Sequence, residues 1–155
     1  MVAAEYNQCV DAYSDRLYRF VLKVGASRQV ANELVKNCFT SLWQQKENIG
    51  TKEVRIFLFS AAFHALHKLA KTDPDKLRPE EEVIYASQGI QRTLSEGLYT
   101  LHPVHRALLV LRDYEGSSYG ELALISGLEE TKVKSEIYIA RKKLKRILIQ
   151  SQLKA

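Results

Sequence analysis

"SYGELALISGLEETKVKSEIYIARKKLKRIL", residues 118–148, decides the fold. Ser118 and Glu121 stand at the S-x-x-E spacing of a capping box, so a helix begins there. It is short, with Leu122, Ala123 and Ile125 directed inward, and Gly127 is where the chain must turn. A longer helix follows over about 129–150. At about 100° per residue, Val133, Ile137, Ala140 and Leu144 share one face of it, and Thr131, Ser135, Tyr138, Lys142 and Arg146 the opposite one. Short helix, glycine turn and long helix is the spacing of a helix-turn-helix. Its outer face would meet a major groove, with the N-terminal half at base edges and Arg141, Lys142, Lys143, Lys145 and Arg146 near phosphates. The same spacing also fits a packing domain whose last helix keeps a solvated basic face.

Upstream, the apolar periodicity is helical throughout and no β-type alternation occurs. A first helix over about 5–24 carries Cys9, Val10, Tyr13, Leu17, Phe20, Val21 and Val24 on one stripe, and Gly25 ends it. Ser27 caps a second helix. Val30, Ala31, Leu34, Val35, Cys38 and Leu42 face its core, Glu33, Lys36, Asn37, Thr40 and Gln44 lie outside, and Phe39 and Trp43 stand on the border. A third helix over about 52–71 places Val54, Phe57, Leu58, Ala61, Ala62, Ala65, Leu66 and Leu69 at core spacing. "KTDPDKLRPEEEV" (71–83) combines helix breakers with a charge run and reads as a linker. Pro79 to Glu82 can open a new helix, acids in its first turn. Four helices then follow at about 84–100, 103–114, 118–126 and 129–150, with Gly116 closing the second of them. The expected fold is all-α: two small helical domains, 1–72 and 84–155, joined by a linker at 73–83.

Composition narrows the function. The chain has 155 residues, 46% of them apolar, with a net charge of +5, which fits a globular chain and an acidic partner such as nucleic acid. The charge is uneven: +4 over residues 1–72, −3 over 73–98 and +4 over 99–155. Cys9 and Cys38 read as buried thiols, without CxxC or zinc spacing. The pairs His64/His67 and His102/His105 lack the further ligands a metal needs, so neither metal nor cofactor is expected. No nucleophile stands with a base and no glycine-rich phosphate loop occurs, which excludes the common enzyme classes. Neither a signal peptide nor a membrane-inserting segment is read at the N-terminus, so a reducing cytoplasm is the expected location.

The frame "LRDYEGSSYGELALISG", the "TKVKSE" start of the last helix and its "ARKKL" end resemble the fourth conserved region of bacterial RNA polymerase sigma factors, sigma-70 family, extracytoplasmic-function (ECF) type. "YSDRLYRFVLK" (13–23) and "ASRQVANELVKNCFTSLWQ" (26–44) resemble that family's second region, and "FLFSAAFHALHKLAK" (57–71) its promoter-melting helix. The resemblance implies a non-catalytic specificity subunit that binds core RNA polymerase and directs promoter-specific initiation. The first unit would dock on the β′ clamp through Glu33, Lys36, Asn37, Thr40 and Trp43, and meet the −10 element through Phe59, Phe63, His64, His67, Lys68 and Lys71. Phe59 or Phe63 would stack on an unpaired base. The second unit would dock on the β flap and read the −35 element through Thr131, Lys132, Lys134, Ser135, Glu136, Tyr138, Arg141 and Lys142. An anti-sigma factor covering these faces is the further partner implied.

Several positions depart from the family pattern. Val30 and Asn32 stand where acids are usual, Lys36-Asn37 replaces a Gln-Glu pair, and Phe63-His64 replaces Arg-Asn. Glu136 stands where an arginine is usual, and Pro103 is displaced by one place. These departures motivate the alternative of a sigma-like interaction protein that binds polymerase or a regulator without productive promoter recognition. A LuxR-like regulator would account for the last two helices but leaves residues 1–71 unexplained.

Overall fold

The computed structural model describes residues 1–78 and 90–154. The expected helix start at Pro79–Glu82 and the first residues of the expected 84–100 helix lie outside the described residues, as does the acidic part of the linker.

Helix α1 (Ala3–Val24) buries Cys9, Leu17, Phe20, Val21 and Val24. Gly25 ends it at φ 117°, a left-handed backbone that glycine alone adopts cheaply, and its N–H donates to the Leu22 carbonyl at 2.9 Å. Helix α2 (Arg28–Gln44) starts at Ser27, whose Oγ accepts from the Val30 N–H at 3.2 Å. A 3₁₀ turn at Thr51–Glu53 leads into α3 (Val54–Thr72). After Asp73 the chain makes another 3₁₀ turn, Pro74–Leu77, and Leu77 is buried at 2% exposure. The root of the expected free linker is therefore docked, because one apolar side chain in a charged run gains more by burial than by hydration.

The second subdomain comprises α4 (Ile90–Thr100), α5 (Pro103–Leu109), α6 (Tyr119–Ser126) and α7 (Glu130–Lys154). The expected continuous helix over 103–114 is α-helical only to Leu109; Val110–Tyr114 is π-helical, and Gly116 at φ 72° closes it. The capping box of α6 is formed: the Glu121 N–H donates to Ser118 Oγ at 3.1 Å and the Ser118 N–H to Glu121 Oε1 at 2.9 Å. Gly127 turns the chain at φ 76°, and Val133, Ile137 and Ala140 of α7 are buried as the periodicity requires.

The all-α architecture has two helical subdomains, and their buried apolar side chains form one continuous cluster. Helix α3 is the reason. It packs on α1 and α2 within its own unit and on α5 and α6 of the other. Its fully buried residues Val54, Leu58, Phe59, Ala62, Phe63 and Leu66 span about 180° of its circumference, wider than one neighbour can cover. The merged core leaves the outer face of α7 uncovered: Ser135, Tyr138 and Lys142 are exposed.

Candidate nucleic-acid interface

Thr131, Lys132, Lys134, Ser135, Tyr138, Arg141 and Lys142 all project from the exposed side of α7. Tyr138 is 61% exposed, with the Lys142 ammonium 5.0 Å from its ring centre. Some cations on this face are engaged within the protein. Arg141 donates to Asp113 Oδ1 at 2.7 Å, and that bond raises its guanidinium pKa. Lys134 stands 3.8 Å from Glu130. Lys142, Lys145 and Arg146 line a shallow crevice of about 340 Å³ with Ile149 and Gln150.

Glu136 differs from its neighbours. Its carboxylate lies 2.6 Å from His105 Nε2 and 3.0 Å from Lys132 Nζ, and its side chain is only 21% exposed. The His105 hydrogen bond, then the Lys132 one, hold its carboxyl below the ordinary carboxylate range. The acid that replaces the usual arginine is thus tied to buried His105 of α5 and is turned away from the centre of the outer face.

On α3, His64, Lys68 and Lys71 are exposed and His67 is half-buried. Phe59 and Phe63 are not available: they are 0% and 3% exposed, and Phe59 packs 5.5 Å from the Phe20 ring. The expected base-stacking role fails in this arrangement, since their side of α3 lies in the core. On α2, Glu33, Lys36, Asn37 and Thr40 form an exposed strip. Trp43 is 40% exposed, edge-on to Tyr6 at 4.9 Å, with Lys46 Nζ 3.5 Å from its ring centre.

Sequence reasoning missed two arginines. Arg55 at the start of α3 pairs with Glu121 and donates to Ser117 Oγ at 2.8 Å, both in the second subdomain. Arg106 is 4% exposed, and its guanidinium approaches the Leu77 carbonyl at 3.5 Å and the Tyr99 ring at 5.9 Å. A charged residue inside "VHRALLVL" was the available signal for a buried polar contact.

Histidines gather at the same junction. His67 of α3 adds to the charge around His102, the residue that caps α5, and His64 Cε1 lies 3.9 Å from where a Cβ on Gly127 would stand. Burial first lowers the pKa of His67, with Lys71 and His64 adding to it. Burial also lowers that of His102, followed by His105, His67, Arg106 and Lys143. Both folded values lie below the unfolded ones, so the unfolded chain takes up these protons first. Their stabilisation is complete above the ordinary histidine range and is lost as pH falls through it and through the lowered folded values. Protonating the His102 Nδ1 would also remove the acceptor for the Val104 N–H at the α5 cap. The melting temperature is expected to fall between about pH 7.5 and 5.5. The variant His67→Gln/His102→Asn, which keeps a capping side chain, should flatten that slope in a melting series; an unchanged slope would remove these two groups as its source.

Among the described residues no group of three or more His, Cys, Asp or Glu could hold a metal ion, and no helix is long and apolar enough to cross a membrane. Residues 92–144 match the sigma-70 region 4 family model. The chain is 26% identical over 154 residues to the ECF RNA polymerase sigma factor SigE of Mycolicibacterium smegmatis, covering 90% of this chain and 60% of that one. It is 25% identical over 160 residues to the ECF sigma factor SigL of Mycobacterium tuberculosis, covering 92% and 88%. Among solved structures it superposes on CnrH in complex with the cytosolic domain of CnrY, with TM-score 0.74, 21% identity and coverage of 94% and 88%. The helix-turn-helix unit is thus a sigma-70 region 4 module. Along 90% of its length the chain is similar to ECF sigma factors.

Proposed function

We propose that the chain is an alternative sigma factor that binds core RNA polymerase and directs initiation at promoters read through −10 and −35 elements. The observation that carries this reading is similarity to ECF sigma factors along 90% of the chain. The exposed basic face of α7 supports it physically, because a helix presenting Ser135 and Tyr138 ahead of a cationic end suits base edges followed by phosphates. In this reading residues 1–72 form the polymerase and −10 unit, 73–83 the linker and 84–155 the −35 unit. Glu33, Lys36, Asn37, Thr40 and Trp43 meet the β′ clamp, the second unit meets the β flap, and His64, His67, Lys68 and Lys71 meet the opened strand. An anti-sigma protein is the further partner, a reading supported by the similar fold of the sigma factor RpoE of Bartonella quintana, solved in complex with the anti-sigma factor NepR.

Reconstitution with core polymerase, followed by selection from a randomised −10/−35 duplex library, tests the proposal. The expected result is enrichment of a two-part sequence with spacing set by the two units. Core binding without enrichment would instead identify a sigma-like interaction protein, and an absence of core binding would overturn both readings.

A further inference from the structure

Glu136 uses both of its carboxylate oxygens inside the second subdomain. Oε2 lies 2.6 Å from His105 Nε2 of α5, and Oε1 lies 3.0 Å from the ammonium of Lys132, one turn earlier on α7. An ionised carboxylate only accepts, so the His105 ring donates. The other ring nitrogen, Nδ1, is buried and has no hydrogen-bond partner among the described residues, which leaves Glu136 as the ring's polar anchor. The side chains of His105 and Glu136 are 11% and 21% exposed, and that of Lys132 is 60% exposed. This chain of contacts runs from the core of α5 out to water at the first turn of α7.

A lone exposed ion pair four residues apart holds its partners weakly, because two long side chains must give up rotamer freedom to form it. Here the carboxylate is already fixed by a buried ring, so only the lysine has to be ordered. An ammonium has three hydrogens; one faces Glu136 Oε1, which leaves two for a ligand. The start of a recognition helix is the part that meets base edges, and guanine presents two adjacent acceptors there, O6 and N7. A phosphate is the poorer match, since it would bring a second anion against Glu136.

We propose that His105 and Glu136 are positioning residues for Lys132, holding its ammonium at the first turn of α7 to read a guanine of the −35 element through O6 and N7. The guanine half of this statement rests on the promoter-reading function proposed above; the tether itself does not. The acid at 136 then acts as a fixed support for a cation instead of a repulsive charge on a DNA-facing helix. A lysine on a free four-carbon stem reaches any nearby acceptor, phosphate or base. Without its support Lys132 therefore loses discrimination before it loses affinity.

The test uses the full chain with core polymerase, a promoter taken from the selection, and single-base-pair changes across its −35 element. Lys132→Ala should cut discrimination at one G·C pair about tenfold. His105→Leu, which fills the space without offering a donor, should cut it at that same pair, and the double variant should be no worse than Lys132→Ala alone. His105→Gln, whose amide nitrogen can stand in for Nε2, should keep it. A histidine that only supports the fold would instead weaken all sequences alike in both variants, with losses that add to that of Lys132→Ala; either result overturns the positioning role. If His105→Leu does not fold, Glu136→Gln serves in its place. Its amide oxygen still accepts from His105 but its NH₂ cannot hold the ammonium, so the same loss at the same pair is expected. Nuclear magnetic relaxation of the lysine ammonium groups in the free chain reads the tether without DNA. Lys132 should be more ordered than Lys145, and as mobile as Lys145 in Glu136→Gln; a wild-type Lys132 already that mobile overturns the tether. A loss for Lys132→Ala that is uniform across sequences, with the salt slope lowered by about 0.9, would mark a phosphate contact and overturn the guanine reading. If the wild type itself prefers no promoter sequence, the promoter-reading function fails and the guanine role with it, and the relaxation measurement alone decides the tether.

Discussion

Gly25→Ala is expected to cost about 3 kcal/mol, lowering the melting temperature by roughly 6–12 °C for a chain of this size. Two effects combine. An L-residue at φ 117° carries backbone strain of about 1–2 kcal/mol. A Cβ there would also stand 2.4 Å from the Leu77 carbonyl oxygen and 2.9 Å from an Arg106 nitrogen, forcing apart well-packed groups at a typical cost of about 1–3 kcal/mol. The smaller entropy of the unfolded alanine chain returns about 0.4–1 kcal/mol. Two other glycines separate the terms. Gly116 has φ 72° with nothing within 4 Å of its would-be Cβ, so Gly116→Ala should show strain alone, about 1 kcal/mol. Gly50 has φ −77° and open space, so Gly50→Ala should stay within about 0.5 kcal/mol of wild type. Denaturant titration of the three variants gives the order directly. A Gly25→Ala cost no larger than that of Gly116→Ala would mean that the linker root does not press on the end of α1 in solution.

That contact marks where legibility in the sequence ends. Local chemistry was readable because its partners lie within four residues: Gly25 as a helix stop, Ser27 as a cap, Ser118 with Glu121, and the turn at Gly127. The inward face of α7 followed from its period. What escaped depends on neighbours distant in sequence. Leu77 was read as part of a linker because nothing nearby shows that Gly25 and Arg106 will receive it. The resemblance of residues 57–71 to a promoter-melting helix pointed Phe59 and Phe63 at DNA, whereas the wide apolar arc of α3 asks for a second neighbour. Glu136 looked like a charge reversal on a reading face until His105, 31 residues away, supplied its partner. The π-helical stretch at 110–114 carries no proline or glycine within it to announce it.

The correction at Glu136 changes how the outer face of α7 works. With this carboxylate bonded to His105 and Lys132, it offers little repulsion at the far end of the helix, where Lys142, Lys145 and Arg146 share one crevice. The two features separate charge from readout along a single helix: the acid is drawn into the fold, and the cations stay in water. A face so arranged gains most of its affinity from counterion release and its register from the few side chains ahead of it.

Replacing Lys142, Lys145 and Arg146 together by alanine is therefore expected to weaken binding to a selected −35 duplex strongly and uniformly across sequences. Each phosphate contact contributes about 0.9 to the slope of log affinity against log salt, so three lost contacts should flatten it by about 2.7. Between 50 and 200 mM salt the wild-type advantage should shrink by about 40-fold, which makes the deficit largest at low salt. Ser135→Ala should behave differently. It removes a hydroxyl that can reach a base edge, so it should shift preference at one position while leaving the salt slope unchanged. Fluorescence anisotropy over a salt series, with the selected duplex and single-base variants of it, reads both effects. A triple variant whose loss depends on sequence at constant salt slope would put these cations in the groove. The reading face would then be centred about two turns further along α7 than Ser135 and Tyr138 imply.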